Sequence, residues 1–241
     1  MNLLILILFY LINSVHSKKA KTQNLENINC ELSNKNIDDL DMKNKMINNY
    51  EFTINMASIT HIQGLLLIGI LEKFRPNYIC EFGAGVSTII FESYCEKYDK
   101  KLLTIEHDIK YKRKDSKLFN LIENTYVMIN NVKYGKTNKY EGLEDFFKNY
   151  KGKFDFVFID GPFGNNKKYK YTRIQMIDLL EFDLLENHGY FLIHDTERKN
   201  AKNSINILLS LFKKKRYVVT IEYLVTQKKK RLTIIHFNKK K

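Results

Sequence analysis

Two short segments carry side chains suited to proton transfer: "IDGPFG" at residues 159–164 and "IHDTER" at residues 193–198. Each closes an apolar run, so each reads as a strand end opening into a loop. Asp160, His194 and Asp195 are the candidate catalytic groups. A carboxylate, or an imidazole with a pKa near neutral, can orient a hydroxyl and take its proton as an electrophile approaches in line. Each also has a plain structural use. Asp commonly binds loop N–H groups, and a histidine can be a hydrogen-bonded core residue.

A third stretch, "EFGAGVST" at residues 81–88, follows another apolar run and leads into a helical pattern. Gly83 and Gly85 permit a tight turn and close approach of backbone to a ligand. The helix behind them presents unpaired N–H groups, which Ser87 and Thr88 can supplement. Thr88 stands where the dinucleotide fingerprint has its third glycine, which disfavours a pyrophosphate grip. Glu81 instead places an acid near a ligand amine. The next apolar run ends in "TIEHD", with Glu106 25 residues after Glu81 (106 − 81). A carboxylate there can accept both hydroxyls of a ribose. An amino-acid tail joined to a ribose describes S-adenosylmethionine. The candidate cofactor-binding residues are therefore Glu81, Gly83, Gly85, Ser87, Thr88, Glu106 and Asp160.

The elements that must position these groups alternate. Residues 53–73 repeat apolar side chains at three- and four-residue steps and read as a helix, ended by Arg75-Pro76. Strands are expected at 78–82, 101–106, 126–132, 154–160 and 190–194. Helices are expected at 36–49, 87–98, 116–123, 142–150, 171–180 and 201–212. Residues 217–225 and 231–237 flank the polar turn "TQKKK" and read as an antiparallel hairpin. "FDFVFID" is apolar on both faces, as a central parallel strand should be. The whole predicts an α/β fold, a Rossmann-like doubly wound sheet of about seven strands with a C-terminal antiparallel hairpin.

The chain has 241 residues and 44% hydrophobic residues, enough for one sizeable core. Its formal charge is +13, from 40 basic and 27 acidic residues. The lysines are spread along the chain, and no aromatic-basic pattern of a nucleic-acid module occurs, so no nucleic-acid partner is expected. Three cysteines, Cys30, Cys80 and Cys95, form no CxxC pair, so neither a disulfide framework nor a zinc site is indicated.

The N-terminus "MNLLILILFYLINSVHS" contains an apolar run at residues 3–12, too short to span a bilayer as a helix. It matches the apolar part of a secretory signal, with small residues suited to cleavage after Ser17. No Lys or Arg precedes the run, while Lys18, Lys19 and Lys21 follow it. That charge order is the reverse of the usual one. The expected organisation is a signal peptide or short signal-anchor at 1–17, an extension at 18–52 and a catalytic domain at 53–241. The expected compartment is the secretory pathway, with a possible membrane tether; a cytoplasmic protein is the alternative.

Together, "CEFGAGVST", "TIEHD", "FDFVFIDGP" and "ENHGYFLIHD" resemble, in order and spacing, the motifs of the class I S-adenosylmethionine-dependent methyltransferases. The resemblance implies cofactor contacts from Glu81, Gly83, Gly85 and Ser87 to the methionine part and from Glu106 to the ribose. "DGPFG", Arg173 and "FLIHDTER" are more similar to the glucuronoxylan 4-O-methyltransferase family of Golgi polysaccharide-modifying enzymes. That implies O-methylation of a sugar hydroxyl, on a glycan that can carry uronic acid. The segment "NNKKYKY" departs from that family's proline-glycine run.

Arg173 and Arg198 are the candidate substrate-binding residues, since a guanidinium forks onto a carboxylate. Lys167, Lys168 and Lys170 can steer a polyanion. The alternative is that both arginines pair with local acids such as Glu197 or Asp178. Two carboxylates could hold Mg²⁺ or Ca²⁺. Catechol-type O-methyltransferases, however, use an Asp-Asn pair where this chain has Asp195-Thr196, and no lysine directly follows Asp160. No metal ligand is therefore assigned. The other readings are a cytosolic methyltransferase acting on a small hydroxyl compound, RNA or protein, and a non-catalytic nucleoside-binding domain. Against amino-group methylation, "IDGP" is not an N/D-P-P-Y/F motif.

Overall fold

The structure is a computed structural model that describes residues 61–106, 108, 121–123, 126–131, 135–140, 142–151, 153–162, 169–225 and 231–240. The expected signal segment, the helix at 36–49 and Lys167 and Lys168 lie outside them.

The chain begins with α1 (His61–Phe74), β1 (Tyr78–Phe82), α2 (Val86–Tyr98) and β2 (Lys101–Glu106). β3 (Leu121–Glu123), β4 (Tyr126–Asn131), β5 (Gly135–Tyr140), α3 (Leu143–Asn149) and β6 (Phe154–Ile159) follow. It ends with α4 (Met176–Glu181), β7 (Leu185–Ile193), α5 (Lys199–Lys214), β8 (Tyr217–Val225) and β9 (Arg231–Lys239). Six long strands and the three-residue β3 make one sheet in the order β3-β2-β1-β6-β7-β9-β8. β3, β2, β1, β6 and β7 run parallel, and β9 is antiparallel to both β7 and β8. This is the expected doubly wound sheet with its C-terminal hairpin.

The core explains the two-sided apolar strands. In β6, Val157 and Ile159 face one hydrophobic cluster, and Phe156 and Phe158 face the other. α3, α4 and α5 cover the first face, where Phe147, Leu180, Leu208 and Phe212 are buried. α1 and α2 cover the second with Leu67, Ile70, Leu71, Phe91 and Tyr94. Burying a side chain of this size stabilises the fold by roughly 1.5–3 kcal/mol. α1 stops where expected: Arg75 adopts a left-handed conformation (φ 50) and Pro76 follows. Among the described residues, no helix is long and apolar enough to cross a membrane.

Four local expectations are corrected. Residues 121–123 form a strand parallel to β2, not the end of a helix. β4 pairs outside the main sheet with β5, a strand the sequence did not announce. Its sequence "GKTNKY" has no apolar alternation, so tertiary context overrides weak β-propensity. β7 begins at Leu185 rather than at Tyr190, and α4 begins at Met176, after turns at 172–175.

Candidate active site

The carboxyl ends of β1, β2, β6 and β7 meet along one edge of the sheet. The ladder runs on into their loops. Gly83 N donates to Ile105 O (2.8 Å), Asp160 N and Gly161 N donate to Phe82 O (2.8 and 2.6 Å), and His194 N donates to Ile159 O (3.0 Å). These bonds place Asp160 and Gly161 directly beside the glycine turn, and His194 beside the end of β6.

The two glycines have different jobs. Gly83 has φ 96, and a Cβ there would come within 2.6 Å of Gly161 N. Its lack of a side chain lets two strand ends pack backbone to backbone, so close approach to a ligand is not what Gly83 provides. A Cβ on Gly85 would meet nothing within 4 Å. Gly85 is the position that borders open space.

Glu81 is turned inward, with no exposed surface. Ser87 Oγ donates to its Oε1 (2.5 Å), and Thr88 Oγ1 and Thr104 Oγ1 donate to its Oε2 (2.8 and 2.9 Å). Burial pushes the Glu81 carboxyl up to about 8, against the opposing pull of the three hydroxyls. The side chains of Glu81, Ser87 and Thr88, expected to meet a ligand, are turned to one another and fasten the turn and the start of α2. Thr88 Oγ1 also accepts from Gly85 N (2.9 Å), which sets the backbone of the open glycine.

Glu106, at the last position of β2, is also buried. Its Oε2 accepts from Ala84 N (2.7 Å) and its Oε1 from Asp108 N (2.9 Å). The carboxylate therefore lies against the glycine turn, where a ribose would be gripped between β1 and β2.

Asp160, His194 and Asp195 come together as expected, with one potential ligand atom from each within 4.8 Å of the others. Their exposure separates their roles. The side chains are 18% exposed for Asp160, 9% for Asp195 and 2% for His194. His194 Nδ1 lies 2.9 Å from Asp160 Oδ1, and its Nε2 lies 3.0 Å from Gln63 Nε2 on α1. An ionised carboxylate only accepts, so Nδ1 carries the proton and Nε2 accepts from the Gln63 amide. With both ring nitrogens engaged and the ring buried, His194 orients Asp160. Expected as a catalytic group, it is placed behind Asp160 rather than at the exposed side of the cluster.

Arg173, expected as a substrate contact, is 4% exposed and turned toward the ends of β6 and β7. Nη1 donates to His194 O (2.7 Å) and Ile159 O (3.4 Å), Nε to Pro162 O (3.4 Å) and Nη2 to Asp160 Oδ1 (3.1 Å). Arg198 does lie at the rim, 26% exposed, with Nη2 2.8 Å from Asp195 Oδ2. The acids they pair with are Asp160 and Asp195. Glu197 instead accepts from Arg231 N (2.9 Å).

The loop after β7 is held from β9: Thr196 N donates to Arg231 O (3.0 Å), and Arg231 Nη2 donates to Thr196 O (2.6 Å). Sequence inspection also missed Gln63, Tyr140 and Gln175. Gln63 left one signal, a polar residue four before Leu67 and seven before Ile70 on the buried stripe of α1. Tyr140 is wholly buried, and its Oη lies against the Cα of Gly161 on the side where a Cβ would project. Gln175 Nε2 donates to Gly161 O (2.8 Å). Neither residue sits in a sequence pattern that marks it.

No protein-family model matches the chain, and no curated protein sequence matches it. Solved structures do. The S-adenosylhomocysteine-bound methyltransferase PaMTH1 of Podospora anserina superposes with TM-score 0.59 at 15% identity, over 93% of this chain and 100% of that one. The O-methyltransferase TomG of Streptomyces achromogenes, in complex with S-adenosylmethionine, gives 0.56 at 12% identity, over 90% and 97%. An O-methyltransferase of Bacillus cereus, in complex with S-adenosylhomocysteine, gives 0.54 at 13% identity, over 87% and 94%. At these identities the likeness speaks for architecture: the chain has the Rossmann-like fold of the class I S-adenosylmethionine-dependent methyltransferases.

Proposed function

We propose that the protein is an S-adenosylmethionine-dependent O-methyltransferase acting on a sugar hydroxyl of a glycan, with a uronic acid in the acceptor. The observation that carries the proposal is the position of Asp160. Its carboxylate is the most exposed of the acidic cluster, and the backbone ladder sets it beside the glycine turn. The fold neighbours bound to S-adenosylmethionine or its product support the cofactor.

The residues fit that cofactor. Gly85 borders open space, and Glu106 receives ribose hydroxyls alongside the Ala84 and Asp108 amides it already accepts. The bound cofactor supplies a methyl group on a sulfonium and leaves as a neutral thioether. Asp160 accepts the proton of the attacking hydroxyl and so raises the oxygen's nucleophilicity as the new C–O bond forms. His194 and Arg173 both reach Asp160 Oδ1, which holds the carboxylate in one orientation during transfer. Arg198, at the rim, is suited to an acceptor carboxylate. The secretory pathway is the proposed compartment, on the strength of the N-terminal apolar run.

Calorimetric titration with S-adenosylmethionine and S-adenosylhomocysteine tests the cofactor, with Glu106→Ala as control. Transfer of a labelled methyl group is then compared among glucuronic-acid-bearing oligosaccharides, neutral oligosaccharides and catechol. Micromolar cofactor binding with label on the acidic oligosaccharide is expected. Label on catechol alone would make the acceptor a small hydroxyl compound. No cofactor binding by folded protein would end the methyltransferase reading.

A further inference from the structure

The acidic cluster at the ends of β6 and β7 has the makings of a cation site. Asp160, His194 and Asp195 offer oxygen and nitrogen donors within 4.8 Å of one another, and such donors suit a divalent ion. A different cation already serves them. We propose that the guanidinium of Arg173 is the permanent counter-cation of Asp160 and Asp195, and that the protein takes up no divalent metal between these carboxylates.

Three observations carry this. First, Arg173 Nη2 lies 3.1 Å from Asp160 Oδ1 and 3.6 Å from Asp195 Oδ2, so one nitrogen addresses both carboxylates. The group is also anchored independently of the acids. Its other nitrogens donate to the carbonyls of Ile159, Pro162 and His194, which fixes its plane. It cannot withdraw for a metal without leaving those carbonyls, and a guanidinium does not lose its proton in a protein.

Second, among the described residues the two carboxylates already have two cationic partners. Arg173 is paired to Asp160 and Asp195, and Arg198 to Asp195. A divalent ion would add two further positive charges where Asp195 and Arg173 are largely buried. Uncompensated charge in such surroundings is strongly disfavoured.

Third, the imidazole faces the wrong way for ligation. His194 Nδ1 points its proton at Asp160 Oδ1. Coordination through Nδ1 would move that proton to Nε2, where the Gln63 amide already donates. Gln63 would have to turn over as well.

Mn²⁺ alone, titrated into the full-length protein without cofactor and read by electron paramagnetic resonance, tests this independently of methyl transfer. The wild type should show no stoichiometric uptake up to about 1 mM, the weak end of biological calcium sites. Arg173→Gln should gain one Mn²⁺ per chain at least about tenfold more tightly than the wild type. The gain should vanish when Asp160→Asn is added. Micromolar Mn²⁺ binding by the wild type that Asp160→Asn abolishes would overturn the proposal, and so would a folded Arg173→Gln with no gained site. If Arg173→Gln does not fold, the wild-type melting temperature in Mn²⁺ against EDTA decides. Coincident melts are expected, and a rise with Mn²⁺ that is lost in Asp160→Asn overturns it.

Discussion

The side-chain amide nitrogen of Gln63 lies 3.0 Å from Nε2 of His194, across 131 residues of chain, and His194 Nδ1 lies 2.9 Å from Asp160 Oδ1. α1 on one face of the sheet is thereby wired to the carboxylate at the end of β6. On the proposed function, these buried groups position Asp160. Gln63→Ala should lower kcat by about tenfold, the loss of about 1.4 kcal/mol of transition-state positioning, with the affinity for S-adenosylmethionine nearly unchanged. Asp160→Asn, which removes the proposed base, should cost roughly 10²–10⁴ in kcat. Steady-state kinetics beside cofactor titration separates the two effects. Full activity in Asp160→Asn would move the chemistry elsewhere.

Glu106→Ala removes the acceptor of Ala84 N and Asp108 N together with the proposed ribose contact. Each orphaned N–H costs about 1–3 kcal/mol, so the melting temperature should fall. In the protein that remains folded, the cofactor dissociation constant should rise by at least about tenfold. Unchanged affinity would remove Glu106 from the cofactor site.

Two glycine substitutions distinguish packing from binding. In Gly161→Ala the new methyl would lie 2.7 Å from Gly83 Cα and press on Tyr140 Oη, so the two strand ends must separate. A loss of about 3 kcal/mol is expected in chemical denaturation. In Gly85→Ala the methyl meets nothing within 4 Å, and stability should hold within about 0.5 kcal/mol. Its effect should appear instead as weaker cofactor binding. A destabilised Gly85→Ala with normal affinity would reverse the assignment.

Glu81 makes stability depend on pH. Its folded pKa, about 8, lies above the ordinary value of 4.5 because the carboxyl is buried. The unfolded chain then releases a proton that the folded chain retains between these values. The stabilising contribution is complete below about 4.5 and is lost progressively as pH rises toward 8. Glu81→Gln removes this titration. The difference in melting temperature, variant minus wild type, should therefore grow more positive from pH 5 to pH 8. A difference independent of pH would show that Glu81 is ionised throughout.

Arg198 is partly exposed, whereas Arg173 is buried. Arg198→Ala should raise KM for a uronate-bearing acceptor by about tenfold, a typical value for a lost charged hydrogen bond. The neutral acceptor and the cofactor should be affected little. An equal rise for neutral and acidic acceptors would assign Arg198 to holding Asp195 alone.

Much of the frame was legible because its signals are local. "YICEF", "KLLTIE" and "FDFVFI" are short apolar runs, and each falls on the strand it suggests. The acids that close or follow such runs, Glu106, Asp160 and Asp195, gather along one edge because parallel strands end together. The β4–β5 hairpin was not legible, since "GKTNKY" pairs through its backbone without an apolar rhythm. Nor was the strand at Leu121–Glu123, whose three residues are too few to show a period.

The order of strands and helices, the glycine turn and the set of acidic side chains were determined by the sequence alone, through periodicity and backbone chemistry over a few residues. Which polar groups face a ligand and which face one another was decided only by the tertiary structure. The Glu81 side chain and Gly83 face other protein groups, and Arg173 is buried and paired with Asp160, none of which the sequence showed. The reason is one of range. A strand's period is set by neighbouring residues, but a hydrogen bond forms only when two atoms arrive within about 3 Å. Gln63 and His194 reach that distance only after α1 has packed against the finished sheet.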